Sequence, residues 1–265
     1  MKTLLKLIGL VLLVVVLVVI GRTNFLPSKQ IAKLPHTPDT IDAPKAARDL
    51  SGAVKFPTIS WEGGGTEEQK KSSREAFAQF HAYLERTFPQ VYSKLDHEIV
   101  GENNLLFRWK GTDSSLMPIL LMGHQDVVPV EVGTEAKWTH GAFSGDIADG
   151  FIWGRGTLDD KQTIVGLLEA VDVLLAKGFQ PKRTVYLAFG QDEEIGGLQG
   201  AEKIAQLLKS RGVLLAFAMD EGGFLSWISA RGERAGGDDW DFGERVSEPD
   251  VVRGDRRWTF VGTPE

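Results

Sequence analysis

The feature that most constrains the fold is an alternation of strand and helix patterns between residues 105 and 219. Runs rich in β-branched and aromatic residues predict strands at 105–109, 119–122, 184–189 and 214–219, the last of them buried. Apolar residues repeat at helical spacing over 163–177 and 200–211, and each repeat is followed by a glycine. Strands connected through helices favour parallel pairing. The order therefore predicts an α/β fold whose mostly parallel sheet is covered by helices on both faces.

Two shorter patterns predict local structure. Thr66 and Gln69 have the spacing of a capping box that begins a helix, and His81 lies on the apolar face of that helix. We therefore expect His81 to be a hydrogen-bonded core or boundary residue rather than a ligand. Asp149 and Gly150 lie between two short apolar runs and predict a tight β-hairpin.

The amino-terminal segment, residues 1–21, predicts a membrane signal. Lys2 and Lys6 precede an unbroken apolar run, and Arg22 follows it. No small-residue cleavage motif follows, which favours an uncleaved signal anchor over a signal peptide that is removed. The positive flank predicts a cytoplasmic amino terminus with the remainder periplasmic or extracellular, or secreted if the segment is cleaved. Residues 22–45 contain four prolines and predict a linker.

Short clusters of residue types that bind metals lie at the predicted strand ends. They are GHQDVVP (123–129), GRGTLDDK (154–161), GQDEE (190–194) and MDEGG (219–223). A single acidic pair after a strand is usually a solvated loop or a helix cap, but solubility does not explain four such clusters in glycine-rich loops. Because loops at the carboxyl ends of neighbouring strands meet, the clusters predict a metal hydrolase. Asp126 lies two residues after His124, near enough to accept its second imidazole N–H.

Composition narrows the choice of ligands and partners. The chain has no cysteine, which excludes disulfides and thiolate metal sites and leaves histidine, aspartate and glutamate as the strong ligands. Its net charge is −6, and no basic patch is present, so we predict no nucleic-acid partner.

The ordered clusters, with KFPTIS (55–60) upstream, resemble those of a known family. This is the family of co-catalytic zinc peptidases that includes carboxypeptidase S, aminoacylase, glutamate carboxypeptidase and succinyl-diaminopimelate desuccinylase. The carboxypeptidase S branch, whose members often begin with a membrane or secretory segment, is the most similar. The resemblance covers about residues 46–224 and implies a zinc-exopeptidase-like catalytic domain. It implies two zinc ions, although carboxylate-rich sites with one histidine also accept cobalt or manganese.

The resemblance also implies roles for individual residues. The implied metal ligands are His124 and Asp220 for one zinc ion, Asp159 for both ions, and Glu194 for the other. Glu193 would be the general base that takes a proton from metal-activated water, and Asp126 would orient His124. The implied reaction is hydrolysis of an amide bond in a peptide or N-acyl amino acid next to a free carboxylate.

The sequence departs from the family pattern after about Phe224. Family members continue with a lid or dimerisation domain and return with a final histidine ligand, whereas the last histidine here is His140, which we predict to be a surface or hydrogen-bonding residue. Residues 225–265 lack an apolar period and predict a disordered tail. We therefore expect a truncated or frame-shifted product with one tight and one weak metal site. The alternative is a catalytically inactive, membrane-tethered fragment that retains at most one metal.

Overall fold

The structure of the protein is a computed structural model that describes residues 2–25, 41–221 and 259–261. The chain divides into two units, residues 1–39 and 40–265. In its described part, the first unit is one helix, α1 (Lys2–Phe25), which continues past the end of the segment predicted from the sequence. Its residues 6–23 are long and apolar enough to cross a membrane. At 1.5 Å per residue these 18 residues span about 27 Å, close to the thickness of a bilayer's hydrocarbon core.

A five-stranded sheet forms the centre of the second unit. In spatial order its strands are β1 (Asp96–Val100), β2 (Asn104–Trp109), β6 (Val185–Gly190), β3 (Ile119–His124) and β7 (Phe217–Met219). The pairs β6–β3 and β3–β7 are parallel, whereas β1–β2 and β2–β6 are antiparallel. The predicted α/β class is confirmed. The sheet is mixed rather than mostly parallel, because the β1–β2 hairpin joins the edge of β6 in the opposite direction.

Helices cover both faces of this sheet, as predicted. The first face packs against α2 (Ala43–Val54), α3 (Glu67–Thr87), α4 (Pro89–Lys94) and α5 (Lys161–Ala176), and the second packs against α6 (Ala201–Ser210). Successive residues of β2 alternate between the two cores: Leu105 and Phe107 join the first, and Leu106 joins Ile204 of α6 in the second. This alternation follows from the two-residue period of a strand.

The sequence patterns do not predict two of these elements. Helix α2 begins at Ala43, inside the segment assigned to a linker, and Asp42 caps it by accepting a hydrogen bond of 3.0 Å from the backbone N–H of Lys45. Strand β1 precedes the first strand that the sequence predicts, and pairing with β2 stabilises it. Helix α2 contains a proline and a glycine, and β1 has only five residues, so the structure of both depends on tertiary contacts. Residues 26–40 of the predicted linker lie outside the described residues.

The predicted local patterns are confirmed. Thr66 and Gln69 form the reciprocal hydrogen bonds of a capping box at the start of α3. Strands β4 (Ile147–Ala148) and β5 (Phe151–Trp153) form the predicted hairpin. Its turn residues Asp149 and Gly150 have φ angles of 55° and 84°, both in the left-handed region that a type I′ turn requires.

The carboxyl-terminal part of the fold differs from the sequence prediction at β7. This strand is shorter than the predicted 214–219, and Phe217 and Met219 are each 54% exposed rather than buried. Among the described residues β7 pairs only with β3, so it is an edge strand with one uncovered side. Of the predicted tail, 225–265, the structure describes only β8 (Thr259–Val261), which pairs in parallel with β5.

A three-residue ion cluster connects α2 to α5. The ammonium of Lys45 lies 2.6 Å from Asp49 Oδ2 and 2.6 Å from Glu169 Oε1, and the Glu169 side chain is only 7% exposed. Burial raises the pKa of Glu169 to about 7, with a further contribution from its hydrogen bond to Asp49, although Lys45 acts in the opposite direction.

This pKa predicts a pH-dependent loss of stability. Because the folded chain holds the Glu169 proton more tightly than the unfolded chain, whose glutamate titrates near 4.5, stability is lost as the pH rises from about 4.5 through 7. We expect Glu169→Gln to remove this loss, so that between pH 4.5 and 8 the variant gains about 2 kcal/mol in unfolding free energy relative to the original chain. Urea unfolding followed by tryptophan fluorescence measures it. Glu98→Gln is the control, because Arg211 lowers the pKa of Glu98 and the trend should reverse; identical profiles for the two variants would contradict the prediction.

Candidate metal centre

Four of the predicted clusters meet at the carboxyl ends of the parallel strands. His124 is the last residue of β3 and lies in register with Gly190, the last residue of β6. Glu193 and Glu194 follow β6 in a short 3₁₀ helix, and Glu221 follows β7. Parallel pairing brings these strand ends to one edge of the sheet, and the turn before α5 adds Asp159 beside them.

His124 is at the centre of this group. Its side chain is 2% exposed, and its Nε2 atom lies 2.7 Å from Asp159 Oδ1 and 3.8 Å from Glu193 Oε2. Its Nδ1 atom lies 3.0 Å from the backbone oxygen of Asp126 and 3.2 Å from Asp126 Oδ1. One ring nitrogen thus faces the buried Asp126, and the other faces the carboxylates of the centre.

Two groups of three residues have ligand atoms that all lie within 4.8 Å of one another. They are His124 with Asp159 and Glu194, and His124 with Glu193 and Glu221. Asp220, a ligand by resemblance, belongs to neither group. Its Oδ1 atom instead accepts a hydrogen bond of 3.0 Å from the backbone N–H of Glu221. The structure therefore brings together His124, Asp159, Glu193 and Glu194, and it groups Glu221 rather than Asp220 with His124.

The charges of the centre favour a bound cation. Burial raises the pKa of Glu194 to about 7, and repulsion from Asp159 adds to the increase. Burial also raises the pKa values of Glu193 and Glu221. For His124, burial acts to lower the pKa, but hydrogen bonds to Asp126 and Asp159 outweigh it and raise the pKa to about 11. These carboxylates therefore stabilise positive charge at His124, and a metal ion bound at Nε2 would take the place of the proton there, because only a neutral imidazole coordinates a metal. The same oxygen and nitrogen donors suit divalent zinc, so the residues fit the implied metal.

Asp126 does more than its sequence spacing indicates. Its carboxylate is fully buried, and besides contacting the His124 ring it accepts hydrogen bonds from two backbone N–H groups. These come from Glu193, at 3.1 Å, and Glu194, at 3.2 Å. One carboxylate thus fixes the ring of His124 and the backbone of both glutamates. The sequence indicated the first contact, because residues two apart after a strand can interact, but not the long-range ones.

Asp160 has a different environment from its neighbour Asp159. Its Oδ2 atom accepts a hydrogen bond of 3.2 Å from the backbone N–H of His124, and burial raises its pKa to about 7. The hydrogen bond from His124 instead lowers the pKa of Asp159. The two aspartates therefore have different contacts. Asp159 lies beside the His124 ring, and Asp160 binds the backbone at the end of β3.

His81 and His140 have the environments predicted for them. His81 Nε2 lies 2.7 Å from Gln125 Oε1, and burial lowers its pKa. His140 Nδ1 lies 2.9 Å from Asp146 Oδ2 near the surface. His36 lies outside the described residues.

Sequence reasoning missed Gln125, which is fully buried between His124 and Asp126 and donates to two backbone carbonyls. Its position between two predicted site residues was the only available signal.

Residues 120–256 match the family described as Peptidase family M20/M25/M40. The chain belongs to this family. The matched region extends beyond residue 224, where the sequence analysis ended the resemblance. Members of the family are metal-dependent peptidases and related hydrolases, in agreement with the ligand groups around His124.

Curated relatives agree with this membership. The chain is 39% identical to an N-fatty-acyl-amino acid synthase/hydrolase of Xenopus tropicalis over 82% of its length, and 42% identical to a probable carboxypeptidase S-like protein of Dictyostelium discoideum over 80%. It is 39% identical to carboxypeptidase S of Saccharomyces cerevisiae over 66% of its length. It spans only 41%, 40% and 32% of these three proteins.

Solved structures support the fold. Human carnosine dipeptidase 1 is similar with a TM-score of 0.56 and 19% identity, over 70% of this chain and 39% of that one. An M20 family metallo-carboxypeptidase from Sulfolobus solfataricus has a TM-score of 0.52 and 21% identity, over 67% of this chain and 37% of that one.

The contacts of Asp126 predict a large cost for replacing it. In Asp126→Asn, an amide N–H₂ would face at least one buried N–H donor, so we expect a loss of about 2–4 kcal/mol in unfolding free energy. Asp146→Asn is the matched control, since Asp146 also pairs with a histidine but at the surface, and it should leave stability nearly unchanged. Urea unfolding at pH 7.5 measures both variants. Equal effects would show that burial of the Asp126 contacts does not matter.

Proposed function

We propose that the protein is a membrane-anchored, zinc-dependent hydrolase of amide bonds in peptides or N-acyl amino acids. The observation that carries the proposal is the convergence of His124 with Asp159, Glu193 and Glu194 at the strand ends of a chain that belongs to this peptidase family. The substrate class follows from the relatives, which are described as a carboxypeptidase S and as an N-fatty-acyl-amino acid synthase/hydrolase. Because the chain spans about two fifths of the first two relatives, activity and substrate are proposals.

The proposed ligands are those that the resemblance implies. His124 and Asp220 would hold one zinc ion, Asp159 would hold both, and Glu194 would hold the second. Glu221 is a competing ligand for the position of Asp220, because its carboxylate is the one grouped with His124. When bound, the ions would supply Lewis acidity, lowering the pKa of a water molecule and offsetting charge on the carbonyl oxygen of the substrate. Cobalt or manganese would serve the same ligands.

Glu193 is the proposed general base. Its side chain is 56% exposed and therefore accessible to substrate, while its backbone is held by Asp126. Partial burial raises the pKa of the Glu193 carboxyl above the ordinary value for glutamate. A base with a raised pKa can more readily accept a proton and later return it near neutral pH. Glu193 would take a proton from the attacking water and deliver it to the nitrogen of the leaving amine. Asp126 would keep His124 in the tautomer whose Nε2 faces the ligand groups.

We assign a separate proposed role to each of the two units of the chain. Helix α1 would be a signal anchor, with a removable signal peptide as the alternative, and the body from α2 to about residue 224 would be the catalytic domain outside the cytoplasm. The positive residues before the apolar run support this orientation.

A second function is a membrane-tethered protein that binds at most one metal ion and does not catalyse hydrolysis. It is favoured by one observation: His124 is the only histidine in the ligand groups of the described residues. Within the part of the chain that the structure describes, the proposed ligands of the second ion are therefore the carboxylates of Asp159 and Glu194 alone.

Metal titration tests the ligand set. We expect zinc titration of the metal-free chain by calorimetry to show one tight ion and a second weaker by more than about 10-fold, because among the described residues only Asp159 and Glu194 are assigned to the second ion. His124→Ala should abolish tight binding, whereas His140→Ala should retain it, since His140 pairs with Asp146 outside the centre. Two ions of equal high affinity would contradict the proposed ligand set.

Hydrolysis of N-acyl amino acids with added zinc or cobalt tests the base. Glu193→Gln should reduce turnover by about 100- to 10,000-fold with little change in zinc affinity, because the amide cannot accept the proton. Glu75→Gln, an exposed change on α3, is the control and should retain full turnover. Equal turnover in both variants would remove Glu193 as the base. No turnover in the original chain, with zinc bound, would favour the non-catalytic alternative.

A further inference from the structure

Lys161 is buried to a degree that is rare for a lysine. Its side chain has no exposed surface and is among the largest fully buried side chains of the described residues. Lysines are almost never fully buried unless specific partners hold the ammonium. Lys161 is the first residue of α5 and directly follows the turn that contains Asp159 and Asp160. The reason for its burial therefore concerns the neighbourhood of the metal centre.

The partners of the ammonium come from other elements of the fold. Lys161 Nζ donates hydrogen bonds to the backbone oxygens of Ala53, at 3.3 Å, and Phe56, at 2.5 Å. It also lies 4.9 Å from the centre of the Phe80 ring on α3. Ala53 is in the last turn of α2, where the helix dipole is negative, and its carbonyl oxygen also accepts a hydrogen bond of 3.4 Å from the backbone N–H of Phe56. Since α2 has no basic residue in its own last turn, the Lys161 amino group is the side-chain donor at this helix end. Burial lowers the pKa of Lys161 to about 7, and Asp126 acts in the opposite direction.

The same residue is attached to the metal-ligand turn. The backbone N–H of Lys161 donates to the oxygen of Gly156, which closes the turn around Asp159. Gly156 has a φ of 83°, and a Cβ atom at this position would lie 2.7 Å from Val127 and 3.4 Å from the Lys161 side chain. The turn thus packs between Lys161 and the residue that follows Asp126. A displacement of the ammonium would move the backbone that carries Asp159 and Asp160.

We propose that Lys161 is a positioning residue for the metal centre. Its side-chain amino group donates hydrogen bonds to the backbone carbonyls of Ala53 and Phe56. These bonds fix the turn that contains Asp159 and Asp160. This inference rests on the proposed metal site. The inference adds that a buried contact between Lys161 and α2 fixes the geometry of this site, although α2 contributes no proposed ligand.

Lys45 provides a matched comparison. It also joins α2 to α5, through Asp49 and Glu169, but it is 37% exposed and pairs with Glu169 in the third turn of α5 rather than beside the ligands. If Lys161 only stabilises the packing of the two helices, then Lys161→Met and Lys45→Met should have effects of the same kind. If Lys161 positions the ligand turn, only Lys161→Met should change metal binding.

The test is zinc titration of the full chain in detergent, at a temperature at which thermal unfolding shows each variant to be folded. We expect Lys161→Met to weaken the tight zinc ion by about 10-fold or more, as for other residues that orient ligands, and Lys45→Met to leave the affinity unchanged. Unchanged affinity in Lys161→Met, or equal weakening in Lys45→Met, would overturn the inference. If Lys161→Met does not fold, Lys161→Gln, which retains hydrogen-bond donors, replaces it with the same expectation.

A second measurement does not depend on zinc. Amide hydrogen exchange of the metal-free chain should be faster in residues 156–161 of Lys161→Met, and unchanged there in Lys45→Met, because only the former loosens the ligand turn. Unchanged exchange in Lys161→Met would overturn the inference even if the original chain binds no zinc. A failure of the original chain to bind zinc, with faster exchange in Lys161→Met, would instead count against the proposed metal site alone.

Discussion

The candidate metal centre depends on the burial of one carboxylate. Asp126 has no exposed surface, and its two oxygens receive the His124 ring and the backbone N–H groups of Glu193 and Glu194. A buried charge is stable only when hydrogen bonds satisfy it, and here each donor belongs to a residue of the site. The hydrogen bonds that the buried Asp126 carboxylate accepts therefore hold the loops after β3 and β6 next to each other. Burial lowers the pKa of Lys161 to about 7, and Asp126 acts in the opposite direction, which links the start of α5 to the same carboxylate.

The sheet makes this network possible. Parallel pairing of β3 with β6 and β7 brings their carboxyl ends to one edge, and the antiparallel β1–β2 hairpin supports β6 from the other side. Four helices on one face and α6 on the other bury the strands, so the backbone at the strand ends is held in place. The short loops after those strands therefore have little conformational freedom. Such rigidity is needed to keep the candidate ligand atoms within 4.8 Å of one another.

The electrostatics of the centre link its fold to its proposed chemistry. Asp159, Glu193, Glu194 and Glu221 surround one imidazole, and most of these carboxyls have pKa values raised by burial and mutual repulsion. Such a group is costly without a cation, and a divalent ion would lower the pKa of every carboxylate around it. Membership in the peptidase family and the location of these residues lead to the same proposal, a metal-dependent amide hydrolase. The Glu193 carboxylate is more than half exposed, while Asp126 accepts a hydrogen bond from its backbone N–H.

The sequence by itself determined the α/β class, the position of the capping box and hairpin, and the residues from which the centre is built, because these depend on local period and residue type. His124, Asp126, Asp159, Glu193 and Glu194 were all found from spacing and resemblance. Only the tertiary structure decided the mixed direction of the sheet, the existence of α2 and β1, and the grouping of Glu221 rather than Asp220 with His124. These depend on contacts between residues far apart in sequence. Lys161 is the clearest case: a lysine beside two aspartates indicates a solvated helix start, and only the packing of α2, α3 and α5 buries it.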